Sequence, residues 1–146
     1  MSKYQNSLYP EDWRTVARKD LDRVERNLNE GDIEAAGFFL QQALEKYLKA
    51  FLLEKGWELQ KTHALYTLLD YAIEFDSGLE NFRSLCERAT SYYLTERYPQ
   101  LATPELTRKD IEKDLEEARR FIKALSGENQ PPRHEGSQGE LNGVAF

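Results

Sequence analysis

Between Ile33 and Leu53 the chain reads IEAAGFFLQQALEKYLKAFLL, and fourteen of those twenty-one residues are apolar. A run this long and this apolar has to be packed on most of its sides, either in a bilayer or in a protein core. Glu45, Lys46 and Lys49 sit in its middle, where a bilayer would strand ionised groups away from water. The segment is therefore expected to be the central helix of a helical core. One polar stripe runs through Gln41, Gln42, Glu45 and Lys49, and the helix should stop near Gly56.

The flanking segments carry the same period. Trp13, Ala17, Leu21, Val24 and Leu28 recur every three or four residues, which predicts a first helix. Pro10, Glu11 and Asp12 suit its first turn, and Asn29-Glu30-Gly31 ends it. Asp32 is placed to cap the central helix. Thr62 is expected to cap a short third helix with Leu65, Leu68, Leu69, Ala72 and Ile73 on its apolar face. After a break at Asp76-Ser77-Gly78, a fourth helix carries Leu79, Phe82, Leu85, Ala89 and Tyr93. It ends at Tyr98-Pro99, since a residue before proline is pushed out of the helical region. A loop is expected from Pro99 to Thr107. Thr107 and Asp110 then form a capping-box pattern for a fifth helix built on Ile111, Leu115, Ala118, Ile122 and Leu125. No run alternates with period two, so the fold class is all-α, with about five helices.

The last twenty residues hold four of the eight glycines and two of the five prolines, with little to bury. Residues 1–126 are read as one domain and 127–146 as a flexible C-terminal tail. Of the net charge of -6, the tail contributes -2, from Glu128, Glu135 and Glu140 against Arg133, so the domain carries -4. That balance excludes a broad basic footprint for nucleic acid but leaves room for a small local one. One cysteine, Cys86, has no internal partner, and the N-terminus lacks the layout of a signal peptide. A cytoplasmic protein with no membrane association is expected.

Glycine-rich phosphate loops, HExxH, GxSxG and CxxC are all missing. Glu112, Glu116 and Glu117 have helical spacing, but they share their segment with Lys113, Arg119 and Arg120 and read as a solvated charged face. No metal site and no cofactor is expected. Two groups of residues carry more chemistry. Lys61, Thr62 and His63 stand at the expected start of the third helix, where backbone N–H groups and a lysine favour an anion and His63 can exchange a proton. The plain alternative is a capping threonine and a packing histidine. The second group runs from Tyr92 to Pro99, where tyrosines can stack on bases and Arg97 can fork onto a phosphate. There the alternative is that Tyr93 joins the core and Arg97 pairs with Glu45 or Glu96. Glu45 and Lys49 form an i,i+4 pair on so apolar a helix that a cleft or dimer interface suits them, and exposed apolar surface on that helix would serve the same end.

The central run AAGFFLQQALEKYLKAFLLEKG, followed by KTHAL and Leu68-Leu69, resembles the HEPN domain family. The opening Trp13, Ala17, Asp20 and Leu21, the RYP at Arg97 to Pro99 and the closing amphipathic helix fit the same resemblance, which spans about residues 12–125. It implies an up-and-down helical bundle that homodimerises, with a cleft at the interface. Many such proteins act with a minimal nucleotidyltransferase as a toxin–antitoxin pair. Others are metal-independent ribonucleases, and some are non-catalytic nucleotide- or RNA-binding modules.

The ribonucleases carry an arginine followed four to six residues later by a histidine, and here the chain departs from them. The positions upstream of His63 hold Gly56, Trp57 and Glu58, and after Arg97 no histidine occurs before His134. The expectation that follows is a non-catalytic module. It would homodimerise and bind a nucleotide, an RNA end or a nucleotidyltransferase partner through Lys61, Thr62, His63, Arg97 and Tyr98. The alternatives are a ribonuclease whose His63 and Arg97 meet in space, and a purely structural helical adaptor.

Overall fold

A computed structural model describes residues 7–98 and 106–127. They form α1 (Pro10–Asn29), α2 (Ile33–Glu54), α3 (Leu65–Ile73), α4 (Arg83–Arg97) and α5 (Arg108–Ser126). A 3-10 segment, Ser77–Phe82, runs directly into α4. Among the described residues there is no strand, and no helix is long and apolar enough to cross a membrane.

The first two helices make an antiparallel hairpin. Gly31 takes φ +82°, a left-handed turn that costs glycine little, and Asp32 then accepts a bond from the Ala35 N–H at 3.1 Å. Trp13, Ala17, Leu21, Val24 and Leu28 are all buried, as their spacing predicts. On α2, Leu40, Leu44, Leu48 and Leu52 have no exposed surface. Each such leucine contributes about 1.5–3 kcal/mol of burial. Helix α4 packs tightly on α2 at Gly37, where a Cβ would stand 2.9 Å from the Cβ of Tyr92. Helix α5 closes the core with Ile111, Leu115, Ala118, Phe121 and Leu125.

Several local expectations need correction. Thr62 does not cap α3: its hydroxyl accepts from the Ala64 N–H at 3.3 Å and closes a turn ahead of the helix, which starts at Leu65. Leu79 and Phe82 lie on the 3-10 segment, because Asp76 captures the Gly78 N–H at 3.0 Å and tightens that turn. The α5 face centres on Phe121, stacked on Phe82 at 4.7 Å, while Ile122 is half-buried. Among the described residues the exposed large apolar side chains are Leu8, Tyr9, Tyr66, Phe75, Leu94 and Tyr98, so α2 itself presents none. The Thr107–Asp110 capping box forms in both directions, at 3.2 and 3.0 Å. Of the expected Pro99–Thr107 loop, residues 99–105 lie outside the described residues. So does the expected tail beyond Gly127.

Candidate functional site

At 100° per residue, Phe38, Gln41, Gln42, Glu45 and Lys49 fall within a narrow sector of α2. This sector is the polar stripe of an otherwise apolar helix, and its charged end is buried rather than solvated. Glu45 is 5% exposed and Lys49 is 2% exposed. Lys49 Nζ donates to Glu45 Oε2 at 2.9 Å and lies 5.1 Å from the centre of the Trp13 ring on α1. Trp13 is fixed in turn by its indole N–H, which donates to the Ser7 carbonyl at 2.9 Å. Burying two charges carries a desolvation cost of several kcal/mol per ion, offset only by tight pairing and further hydrogen bonds.

The further bond comes from His63, whose Nδ1 lies 2.7 Å from the same Glu45 Oε2. An ionised carboxylate only accepts, so the hydrogen sits on Nδ1. The 3.5 Å separation of Nδ1 from Lys49 Nζ then joins two donors and is proximity, not a bond. The His63 side chain is 69% exposed, and with Nδ1 turned to the buried carboxylate, Nε2 is the nitrogen left for a ligand. Gln41 approaches Glu45 Oε1 only at 3.5 Å and accepts from Gln42 at 2.7 Å.

The other end of the sector meets α4. Tyr93 stacks on Phe38, with ring centres 5.6 Å apart and planes 22° apart, and the Arg97 guanidinium lies 5.4 Å over Tyr93. Phe38, Tyr93 and Arg97 thus form a layered aromatic–guanidinium stack with Arg97 exposed. Seven residues separate Phe38 from Glu45, so the stack's Phe38 and the carboxylate that holds His63 stand about 10 Å apart along α2. Tyr92 anchors this end of α4, its hydroxyl 2.5 Å from Asp114 on α5. Burial, reinforced by that bond, holds the Tyr92 phenol well above its usual range. Arg88 reaches Asp114 at 3.0 Å and Glu117 at 2.8 Å.

The sequence profile of the HEPN domain matches residues 10–129, which includes every side chain just described. The chain belongs to the HEPN domain family. A HEPN chain of this architecture superimposes on the crystal structure of TT1696 from Thermus thermophilus with a TM-score of 0.67. The two are 25% identical, over 81% of this chain and 96% of that one. No curated protein matches the sequence.

Within this HEPN bundle the expected site residues separate into two stations. Lys61 is exposed and Thr62 half-buried, both ahead of α3 rather than on its N-terminal turn. His63 belongs with Glu45 and Lys49, while Arg97 stands at the far end of the sector and Tyr98 follows it as the C-cap of α4. Among the described residues, no hydrogen bond joins His63 to Arg97. Glu45 pairs with Lys49 and His63, not with Arg97. It is Tyr92 that joins the core, and Tyr93 stays half-buried on Phe38. Trp13 and Phe38 are site residues that spacing alone does not mark. The signal that does point here is the one charged i,i+4 pair, Glu45 with Lys49, on a buried helix. Glu112 and Glu117 are engaged by Arg108 and Arg88, and among the described residues no three metal-ligating side chains cluster.

Proposed function

We propose that the protein is a non-catalytic HEPN module that binds a nucleotide or an RNA end along this sector of α2. One observation carries the reading: an exposed imidazole pinned through Nδ1 to buried Glu45, two helical turns from the Phe38–Tyr93–Arg97 stack. The free Nε2 of His63, with Lys61 two residues away, suits a phosphate. The aromatic–guanidinium stack suits a base. Strand cleavage would need a proton-transfer group and a charge stabiliser at one phosphorus, whereas Glu45 and Phe38, which hold His63 and the stack, are about 10 Å apart along the helix. Fluorescence anisotropy with mononucleotides and labelled short RNA tests the reading. His63→Ala and Arg97→Ala should each weaken binding about tenfold, or about 1.4 kcal/mol. Binding that neither change affects would leave only the structural adaptor.

A ribonuclease remains the second reading, because the Glu45–His63 bond is the kind that orients a general base. RNA cleavage in EDTA, lost in His63→Ala and in Arg97→Ala, would replace the binding module with an enzyme. The module reading also includes self-association and a minimal nucleotidyltransferase partner of the toxin–antitoxin kind. Exposed Leu94 and Tyr98, at the C-terminal end of α4, offer apolar surface for such contacts. Light scattering of the purified chain and co-purification with an adjacently encoded nucleotidyltransferase test each in turn.

A further inference from the structure

The carboxylate of Asp20, buried on α1 at 1% exposure, belongs to neither station of the α2 sector. Its Oδ1 accepts from the Arg23 guanidinium at 2.7 Å and its Oδ2 from Lys46 Nζ at 2.5 Å. Two cations thus share one carboxylate, and a charge of +1 is left over. Lys46 alone ties α2 to α1 through Asp20. Arg23 lies on the same helix as Asp20 and adds nothing to that strut. The Arg23 and Lys46 side chains stay 39% and 19% exposed, and one bond apiece to Asp20 leaves most of their N–H donors for other acceptors. Arg23 also lies 5.5 Å over the Phe39 ring, and Phe39 meets Phe38 edge to face with ring centres 5.3 Å apart. The Phe38–Tyr93–Arg97 stack therefore continues across α2, and one line of rings runs from Arg97 on α4 to Arg23 on α1.

We propose that Arg23 and Lys46 bind the phosphate backbone of single-stranded RNA, which makes the ligand an oligonucleotide rather than a mononucleotide. The inference rests on the reading of the α2 sector as a nucleotide site. Asp20 is the positioning residue: it holds the two cationic heads side by side and, being buried, is itself closed to the ligand. A line of aromatic rings with a guanidinium at each end suits bases stacked on the rings and phosphates at the margins. Lys46 stands seven residues beyond Phe39 on α2, two turns along nearly the same azimuth. That run of about 10 Å, at about 3.4 Å of rise per stacked nucleotide, spans about three nucleotides. An acidic peptide would meet the two cations but would leave the aromatic line without a planar partner.

Fluorescence anisotropy of the full chain with labelled tetrauridylate, competed by unlabelled tetrauridylate or by UMP, tests this over a salt series. Wild type should bind the tetranucleotide about tenfold or more tightly than UMP. Arg23→Gln and Lys46→Gln should each weaken the tetranucleotide about fivefold while UMP affinity holds. Each should also lower the slope of log K against log salt by about 0.7, the value of one phosphate contact on a single strand. A strut between helices would not move that slope, and Arg23→Lys should retain it. Each single change leaves Asp20 one cation, so no buried charge is stranded, and circular dichroism checks the fold. Tetranucleotide affinity and salt slope equal to wild type in both variants would overturn the proposal while UMP binding still stood. Wild type binding neither ligand would remove the α2 reading itself, and this inference with it.

Discussion

Replacing Gly37 with alanine measures how tightly α4 is docked on α2, and two opposed effects decide its sign. In an ordinary helix interior the change stabilises, because alanine loses less backbone freedom than glycine, by about 0.5–1 kcal/mol. Here the new methyl would stand 2.9 Å from Tyr92 Cβ and 3.3 Å from both Tyr92 Cγ and Ile111 Cδ1. Carbon atoms prefer about 3.5–4.0 Å, so the helices must part by roughly 0.6 Å or more. Tyr92 Cβ has no torsional escape, since it is bonded to the α4 backbone, and the tyrosine hydroxyl is tied to Asp114. Overpacking of this kind costs about 1–3 kcal/mol. The net expectation is a loss of about 1–2 kcal/mol. With a urea dependence of about 1.5 kcal/mol per molar, the unfolding midpoint followed by circular dichroism should fall by about 1 M. Because α4 also carries Tyr93 and Arg97, nucleotide or RNA affinity should fall in the same variant while the Glu45–His63 bond is kept. A midpoint that stays put or rises would refute the close-packing argument, since the propensity gain would then have won.

Other expectations follow from the buried groups. Lys49→Met leaves Glu45 buried with only His63 as a close partner and should cost about 3 kcal/mol or more in urea unfolding, whereas Glu45→Met with Lys49→Met should cost much less than the sum of the single changes. Burial pushes the Cys86 thiol up to about 12 from 9.0. Its thiolate fraction at pH 8 then drops about 1000-fold, so alkylation should be undetectable until denaturant unfolds the chain. The raised Tyr92 phenol favours the protonated form in the fold. Its stabilisation is therefore complete below the ordinary tyrosine value of about 10 and is lost as pH climbs above it, which a pH series of urea midpoints for wild type and Tyr92→Phe will show.

What was legible in the sequence was local. The α1 stripe from Trp13 to Leu28, the Asp32 cap and the Thr107–Asp110 box each depend on residues within a few positions of one another, and each forms as spaced. The choice between Tyr92 and Tyr93 is different. Both lie three or four residues beyond Ala89, so period alone cannot say which one enters the core. Asp114, twenty-two residues away on α5, decides for Tyr92 by accepting its hydroxyl. Gly37 reads as a weak point in a helix, and only the approach of Tyr92 gives it a purpose. The site divides in the same way. His63 and Arg97 stand out by chemistry, but the eighteen-residue leap from Glu45 to His63 depends on how the segment after α2 folds back. Lys49 and Glu45 look like a surface pair until that segment and Trp13 cover them.

The tight turn between α1 and α2 bears on the order of assembly. Only residues 30–32 separate two helices of 20 and 22 residues, so their shared leucine-rich seam closes at almost no cost in chain entropy. Helix α5 must instead close a span of 39 residues to place Phe121 on Phe82. The hairpin is thus the natural folding nucleus and α5 the late arrival. Val24→Ala and Leu44→Ala should chiefly slow refolding, and Leu115→Ala should chiefly hasten unfolding. Truncating α5 apolar residues would then shorten the lifetime of the native state while leaving its formation nearly untouched.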